Sequence, residues 1–194
     1  PEARKLLIRD KDGVELRNKI STTHVRSILS AGHVRNLDIC VEDEFAKVLL
    51  TEVIRLKKKD LLKAVAIHSI GDKDAVREAS YVLNKTGKKS IAVRDADVGQ
   101  DKKNGLYSFP GDKPPEVEVF TNKTVKLFIN EKYGIDLDWV LQRDEVKDHH
   151  KIAKCVADEA ESSEEVVRAI VIDKYISDID IEFDELIKDI ESCI

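Results

Sequence analysis

The sequence has no methionine, three cysteines, four prolines and eight glycines, and only 5% of its 194 residues are aromatic. Cys40, Cys155 and Cys193 are odd in number, widely spaced and without a C-x-x-C pair. That excludes a disulfide framework and a thiolate zinc site and fits a reducing compartment, so a cytoplasmic protein is expected. Glycine and proline are too sparse for a low-complexity chain. No apolar run approaches the roughly 20 residues that cross a bilayer. No basic leader followed by an apolar stretch opens the chain, so membrane and secretory readings fall away. With Pro1 first and no methionine, the chain is expected to be a processed or separately expressed piece of a longer polypeptide.

What is present is 42% hydrophobic and 37% charged residues, enough to bury a core in one substantial domain with appendages. The net charge of −5 conceals an asymmetry. From Cys155 to Ile194 there are 13 acidic and 3 basic residues, a net of −10, so the preceding 154 residues carry a net of +5. A mildly basic body is compatible with polyanion binding, although a solvated surface explains it as well.

Apolar residues on either side of Asp-Lys-Asp-Gly within 5–20 predict a β-hairpin turning at Asp12-Gly13. A short capped helix is expected from Ser21 to Ser30. From Leu37 the pattern alternates between strand and helix. LDICV (37–41) reads as a strand, and 43–58 as a helix with Phe45, Val48, Leu49, Val53 and Leu56 at helical period and a basic end at Lys57-Lys58-Lys59. LLKAVAIHSI (61–70) reads as the second strand. A helix at 73–86, with Ala75, Val76, Ala79, Val82 and Leu83 on one face, closes at Gly87. SIAVRDAD (90–97) is the third strand, which makes a parallel βαβαβ core. The glycine- and proline-rich stretch 98–115 reads as a functional loop. EVEVF (116–120) then reads as a short fourth strand. A helix over 121–134 is capped by Thr121 or Asn122 and stopped by Gly134. Helices follow at 144–160 and 163–176. An acidic amphipathic helix closes the chain over 180–192, with Phe183, Leu186, Ile187 and Ile190 inward.

Ligands of an open parallel sheet gather at the carboxyl ends of its strands. Here each such end is acidic: Val41-Glu42-Asp43-Glu44, Gly71-Asp72-Lys73-Asp74 and Arg94-Asp95-Ala96-Asp97. If the third strand continues to 97, Asp95 and Asp97 share a face, about 6.6 Å apart along the backbone. Crowded carboxylates raise one another's pKa and call for a neutralising cation. Magnesium or manganese, hard ions that take oxygen ligands, suit them. Asp43 and Asp72 have a plainer reading as helix caps.

These residues resemble a Toprim domain, the metal-binding fold of topoisomerases, primases, RecR-like repair proteins and OLD-family (overcoming lysogenization defect) nucleases. The family places a glutamate after the first strand and a D-x-D after the third. ICVED offers Glu42, with Glu44 as the other candidate, and VRDADVG offers Asp95 and Asp97. The segment SFPGDKPPEVEVF (108–120) is similar to the loop after the D-x-D in OLD-like nucleases. By position it supplies a further acidic ligand at Glu116, with Glu118 the runner-up.

The resemblance implies an α/β fold with a Toprim-like parallel sheet of about four strands, a catalytic domain over 37–143 and an acidic helical extension over 144–194; the hairpin and linker element over 1–36 that precedes them reads as the end of an upstream ATPase domain. It further implies a Mg²⁺- or Mn²⁺-dependent endonuclease that binds two ions through Glu42, Asp95, Asp97 and Glu116. DNA would be held by Lys102, Lys103 and Lys113, with Lys151 as an additional contact. An ATPase domain or subunit outside this chain, a homo-oligomer, and a setting in phage defence or DNA processing belong to the same expectation. No nucleotide site is visible here. Gly87-Lys88-Lys89-Ser90 lacks the earlier glycine of a phosphate loop and reads as a turn. The alternative is a non-catalytic Toprim-like module for nucleic-acid binding or assembly.

Other groups have plainer readings. His149 and His150 would diverge by about 100° on a helix and read as surface histidines. His68 reads as a core histidine, and Arg94 as a group that orients or neutralises the carboxylates. Tyr107, in the loop, suggests a topoisomerase nucleophile, but that tyrosine belongs to a separate domain in such enzymes.

Overall fold

The computed structural model describes residues 5–10, 13–18, 36–178 and 180–194. The chain divides into two compact units, 1–35 and 36–194. In the first, β1 (Lys5–Asp10) and β2 (Gly13–Asn18) pair antiparallel with Asp10 opposite Gly13, which is the expected hairpin pairing. Asp12 and the expected helix Ser21–Ser30 lie outside the described residues.

The second unit is an α/β layer structure whose sheet is entirely parallel, consistent with a Toprim-like fold. It contains β3 (Leu37–Val41), β4 (Val65–Ser69), β5 (Ser90–Arg94) and β6 (Leu106–Ser108) in the order β4-β3-β5-β6. The chain leaves β3 by α1 (Glu44–Lys58) and the single turn α2 (Leu61–Ala64) to reach β4 on one side. It then crosses by α3 (Lys73–Lys85) to β5 on the other side. The strand order therefore reverses between β3 and β5, which is where ligands bind in open α/β sheets.

Alternation along the strands separates two faces. Leu37, Ile39 and Val41 of β3 and Ile91 and Val93 of β5 enter the main core, whereas Cys40 and Ala92 meet Val76 of α3 on the other face. The small side chains there let α3 lie close. The main core is completed by α1 and by α4 (Pro115–Thr121), α5 (Lys123–Tyr133), α6 (Leu137–Val140), α7 (Ile152–Glu159), α8 (Glu164–Asp178) and α9 (Asp184–Ser192). One core thus runs through both 37–143 and 144–194. On α9, Phe183 just before the helix and Leu186, Ile187 and Ile190 within it are buried as expected. At about 1.5–3 kcal/mol for each large apolar side chain removed from water, this face holds the helix in place.

Several boundaries differ from the sequence reading. Residues 61–64 are helical, so the second strand is only Val65–Ser69. The third strand stops at Arg94, and Ala96–Val98 forms a 3-10 turn closed by Gly99 at φ +76°. The expected loop 98–115 contains the fourth strand, β6, whereas EVEVF is helical within α4. Its alternation is misleading, because Pro115 starts a helix that buries Pro115, Glu116, Val119 and Phe120 on one side. The expected helix 144–160 is two 3-10 turns, Asp144–Lys147 and His149–Lys151, before α7. Leu56 and Val82, read as core, are 49% and 56% exposed. The helix stopped at Gly134 is as expected, with Asn122 as its cap. All three cysteines are free. Among the described residues no helix is long and apolar enough to cross a membrane.

Candidate functional site

Val41 and Arg94 end the two strands at the reversal point, so Glu42 and Asp95 leave the sheet side by side. Glu42 Oε1 accepts a 3.3 Å hydrogen bond from the Asp95 backbone N–H across 53 residues of sequence. Asp95 is 8% exposed. Burial, and then the charges of Glu42, Asp43 and Asp97, push its carboxyl up to about 7. Glu42 is raised by burial and by Asp97 and Asp43, against a lowering by the Asp95 amide and the Arg94 charge. Because the strand ends at Arg94, Asp95 and Asp97 do not share a strand face. Asp95 is buried while Asp97 is exposed on the 3-10 turn, acting on the cluster through its charge.

The third contribution comes from α4. Glu116 lies in its first turn and is 3% exposed. Burial and then a hydrogen bond to Asp43 raise Glu116 to about 10. Burial would raise Asp43 as well. The bond from Glu116, the Ala46 amide and His150 outweigh it, so Asp43 stays ionised while Glu116 holds the proton. Asp43 is also the cap of α1, accepting from the Ala46 N–H at 2.8 Å. Asp72 caps α3 through the Asp74 and Ala75 amides, as the plainer reading anticipated. Glu42, Asp43, Glu44, Glu116 and His150 line a cleft of about 370 Å³ floored by Phe45 and Ala153.

Two groups from the sequence reading do other work. Glu118, the runner-up ligand, accepts from the Asp112 and Lys113 backbone N–H groups at 2.9 and 3.1 Å and ties down the turn before α4. That turn passes through Gly111 at φ +105°, where an added Cβ would come 2.5 Å from Glu118 Oε1. Glu44, exposed, accepts from Lys47 and from Ser69 Oγ at 3.2 Å.

The cations are also sorted. Lys102 is held by Glu185 and Asp189 of α9, both at 2.7 Å, so it is not a free nucleic-acid contact. Lys103 and Lys113 are exposed. Lys151 lies 3.5 Å from Asp148. Arg94 donates through Nη2 to the Gly99 carbonyl at 2.8 Å, and its charge lowers Glu42.

Three plainer readings are corrected. His68 is exposed at the sheet edge, 2.6 Å from Asp38 Oδ1, because its strand alternates it away from the main core. Tyr107 is buried on β6 with its hydroxyl 3.3 Å from Cys193 Sγ, and burial raises its phenol to about 12. His149 is half-buried, and His150, exposed as expected, is engaged by carboxylates. His150 Nδ1 stands 2.9 Å from Asp43 Oδ2 and 3.3 Å from Glu116 Oε1. The sequence reading missed Asp43 and this histidine pair as site residues. The signal was the Asp-His-His string, where Asp148 caps the turn through the His150 N–H.

Burial first, and then the neighbouring negative charges, raise Glu42, Asp95 and Glu116 together. An oxygen-seeking divalent cation fits such a donor set chemically. Comparison with family models, with curated proteins and with solved structures returns no match for this chain.

Proposed function

We propose that the chain is the metal-dependent nuclease domain of a Toprim, OLD-like protein, hydrolysing phosphodiester bonds in DNA. The observation that supports this most directly is the Glu42 to Asp95 hydrogen bond at the reversal point of a parallel sheet, with Asp97 and Glu116 adding to the same charge cluster. Glu42, Asp95 and Asp97 would hold Mg²⁺ or Mn²⁺, and Glu116 would join them on losing its proton. Bound ions would supply Lewis-acid stabilisation of the phosphodiester and acidify water. Asp43, ionised beside Glu116, is placed to accept a proton, and Glu116 to hold one in reserve. Lys103 and Lys113 would attract the phosphate backbone. DNA, an ATPase domain or subunit and a second copy of the chain are the proposed partners, in the cytoplasm, in phage defence or DNA processing.

The test is plasmid cleavage with Mg²⁺ and with Mn²⁺, comparing the native protein with Asp95→Asn and Asp97→Asn, alongside Mn²⁺ binding followed by electron paramagnetic resonance. Metal-dependent nicking that both variants lose is the expected result. Equal cleavage by native and variant proteins, or no Mn²⁺ bound by the native one, overturns the reading.

A further inference from the structure

Glu116, His149 and His150 each bring one ligand atom to within 4.8 Å of the others. On a regular α-helix the two histidines would point about 100° apart. A 3-10 turn, which they begin after the cap Asp148, separates neighbouring side chains by no less, yet their ring centroids are 4.0 Å apart. His150 Nδ1 already contacts Asp43 and Glu116. His149 Nε2 is buried without a hydrogen-bond partner. A buried ring nitrogen left unsatisfied beside carboxylates is an anomaly that asks for a ligand.

We propose that Glu116, His149 and His150, completed by Asp43, form a nitrogen-bearing site for a borderline divalent transition metal such as Zn²⁺ or Co²⁺, adjoining the oxygen-only set of Glu42, Asp95 and Asp97 and sharing Glu116 with it. The donor chemistry decides between ions. Imidazole nitrogen together with carboxylate oxygen suits Zn²⁺ and Co²⁺, whereas Mg²⁺ takes oxygen ligands and keeps its waters. With bonds of about 2.0–2.1 Å the donors of a tetrahedral site stand roughly 3.3 Å apart. His150 Nδ1, 2.9 Å from Asp43 Oδ2 and 3.3 Å from Glu116 Oε1, already stands at that spacing from two of the other donors. The cleft that Glu116 and His150 line gives the ion a path in. The inference does not need the nuclease reading, with which it shares only Glu116 and Asp43.

The experiment is a Co²⁺ titration of the metal-free 194-residue chain, produced without a polyhistidine tag and followed by visible d–d absorption, with calorimetric titrations of Zn²⁺ and Mg²⁺ beside it. One equivalent of Co²⁺ is expected to give a strong visible band that Zn²⁺ abolishes and Mg²⁺ leaves. His149→Ala and His150→Ala should each weaken binding by at least about tenfold, the scale of losses seen even for groups that only support metal ligands. Glu185→Gln, on the surface of α9, should leave it unchanged. His149→Gln and His150→Gln, checked by circular dichroism, keep the test valid should either alanine variant misfold. Absence of the band in folded native protein overturns the proposal. So does full Co²⁺ affinity in the double histidine variant, or loss of the band in Glu185→Gln with its retention in the histidine variants. Co²⁺ binding is read without DNA or Mg²⁺, so its failure is distinguishable from failure of the cleavage assay.

Discussion

At the reversal point of the sheet, Glu42, Asp95 and Glu116 are crowded together and pushed toward protonation, whereas along α9 Asp184, Glu185 and Asp189 stand at the surface, each 2.7 Å from a lysine. The same residue types are in opposite states. The α9 acids Asp184 and Glu185 are lowered by their lysine partners, and water screens each pair. The site acids are raised because burial removes water and like charges replace it. An acidic count therefore says little about function. What marks the first group is that its charge is left uncompensated by the fold.

The sharpest way to break this contrast is to neutralise one member of each group. Asp95→Asn should reduce metal-dependent DNA cleavage by at least about 100-fold. It should leave the melting temperature of the metal-free protein unchanged or higher, since a crowded carboxyl has been removed. Equal cleavage, or a sharp fall in melting temperature, would show that Asp95 is structural.

A second test uses pH. In the folded chain Asp95 holds its proton up to about 7, while the unfolded chain releases it near 3.8. The folded state binds the proton more tightly, so this group's contribution to stability is fullest below 3.8 and is lost as pH rises through about 7. Glu116, raised to about 10, extends the loss to higher pH. Metal-free melting curves should therefore drop on the order of 5 °C between pH 5 and 8. Mn²⁺ should restore more at pH 8 than at pH 5, and a metal effect independent of pH would contradict the assignment.

A smaller effect separates caps from ligands. Asp72→Ala removes the cap of α3 and should cost about 1 kcal/mol in urea unfolding, with Mn²⁺ affinity unchanged. The smallest effect belongs to α9. Glu185→Gln should leave the melting temperature within error, because Lys102 keeps Asp189. A large drop would mean that the pairs, and not the buried apolar face, hold the helix.

Much of this was legible in the sequence. Short β-branched runs, helix periodicity and the caps at Asp43, Asp72 and Asn122 fixed the strand and helix alternation and placed Glu42 and Asp95 at adjoining strand ends. What escaped had physical reasons. β6 is only Leu106–Ser108, too short for a period and surrounded by turn residues. EVEVF alternates like a strand, yet Pro115 and a one-sided buried face make it a helix, and that helix delivers Glu116. Asp97 parts from Asp95 because the backbone leaves the strand one residue before the pair. His149 and His150 stand with their ring centroids 4.0 Å apart, a side-chain juxtaposition that no apolar pattern announces.

Glu118 clasps two amides and leaves no room at Gly111 for even a methyl group. A side chain at Gly111 would have to displace that carboxylate from the two amides and hold the backbone at φ +105°, in the turn that leads into α4 and Glu116. One added carbon, on a residue with no chemistry of its own, thus strains the approach to the helix that carries Glu116.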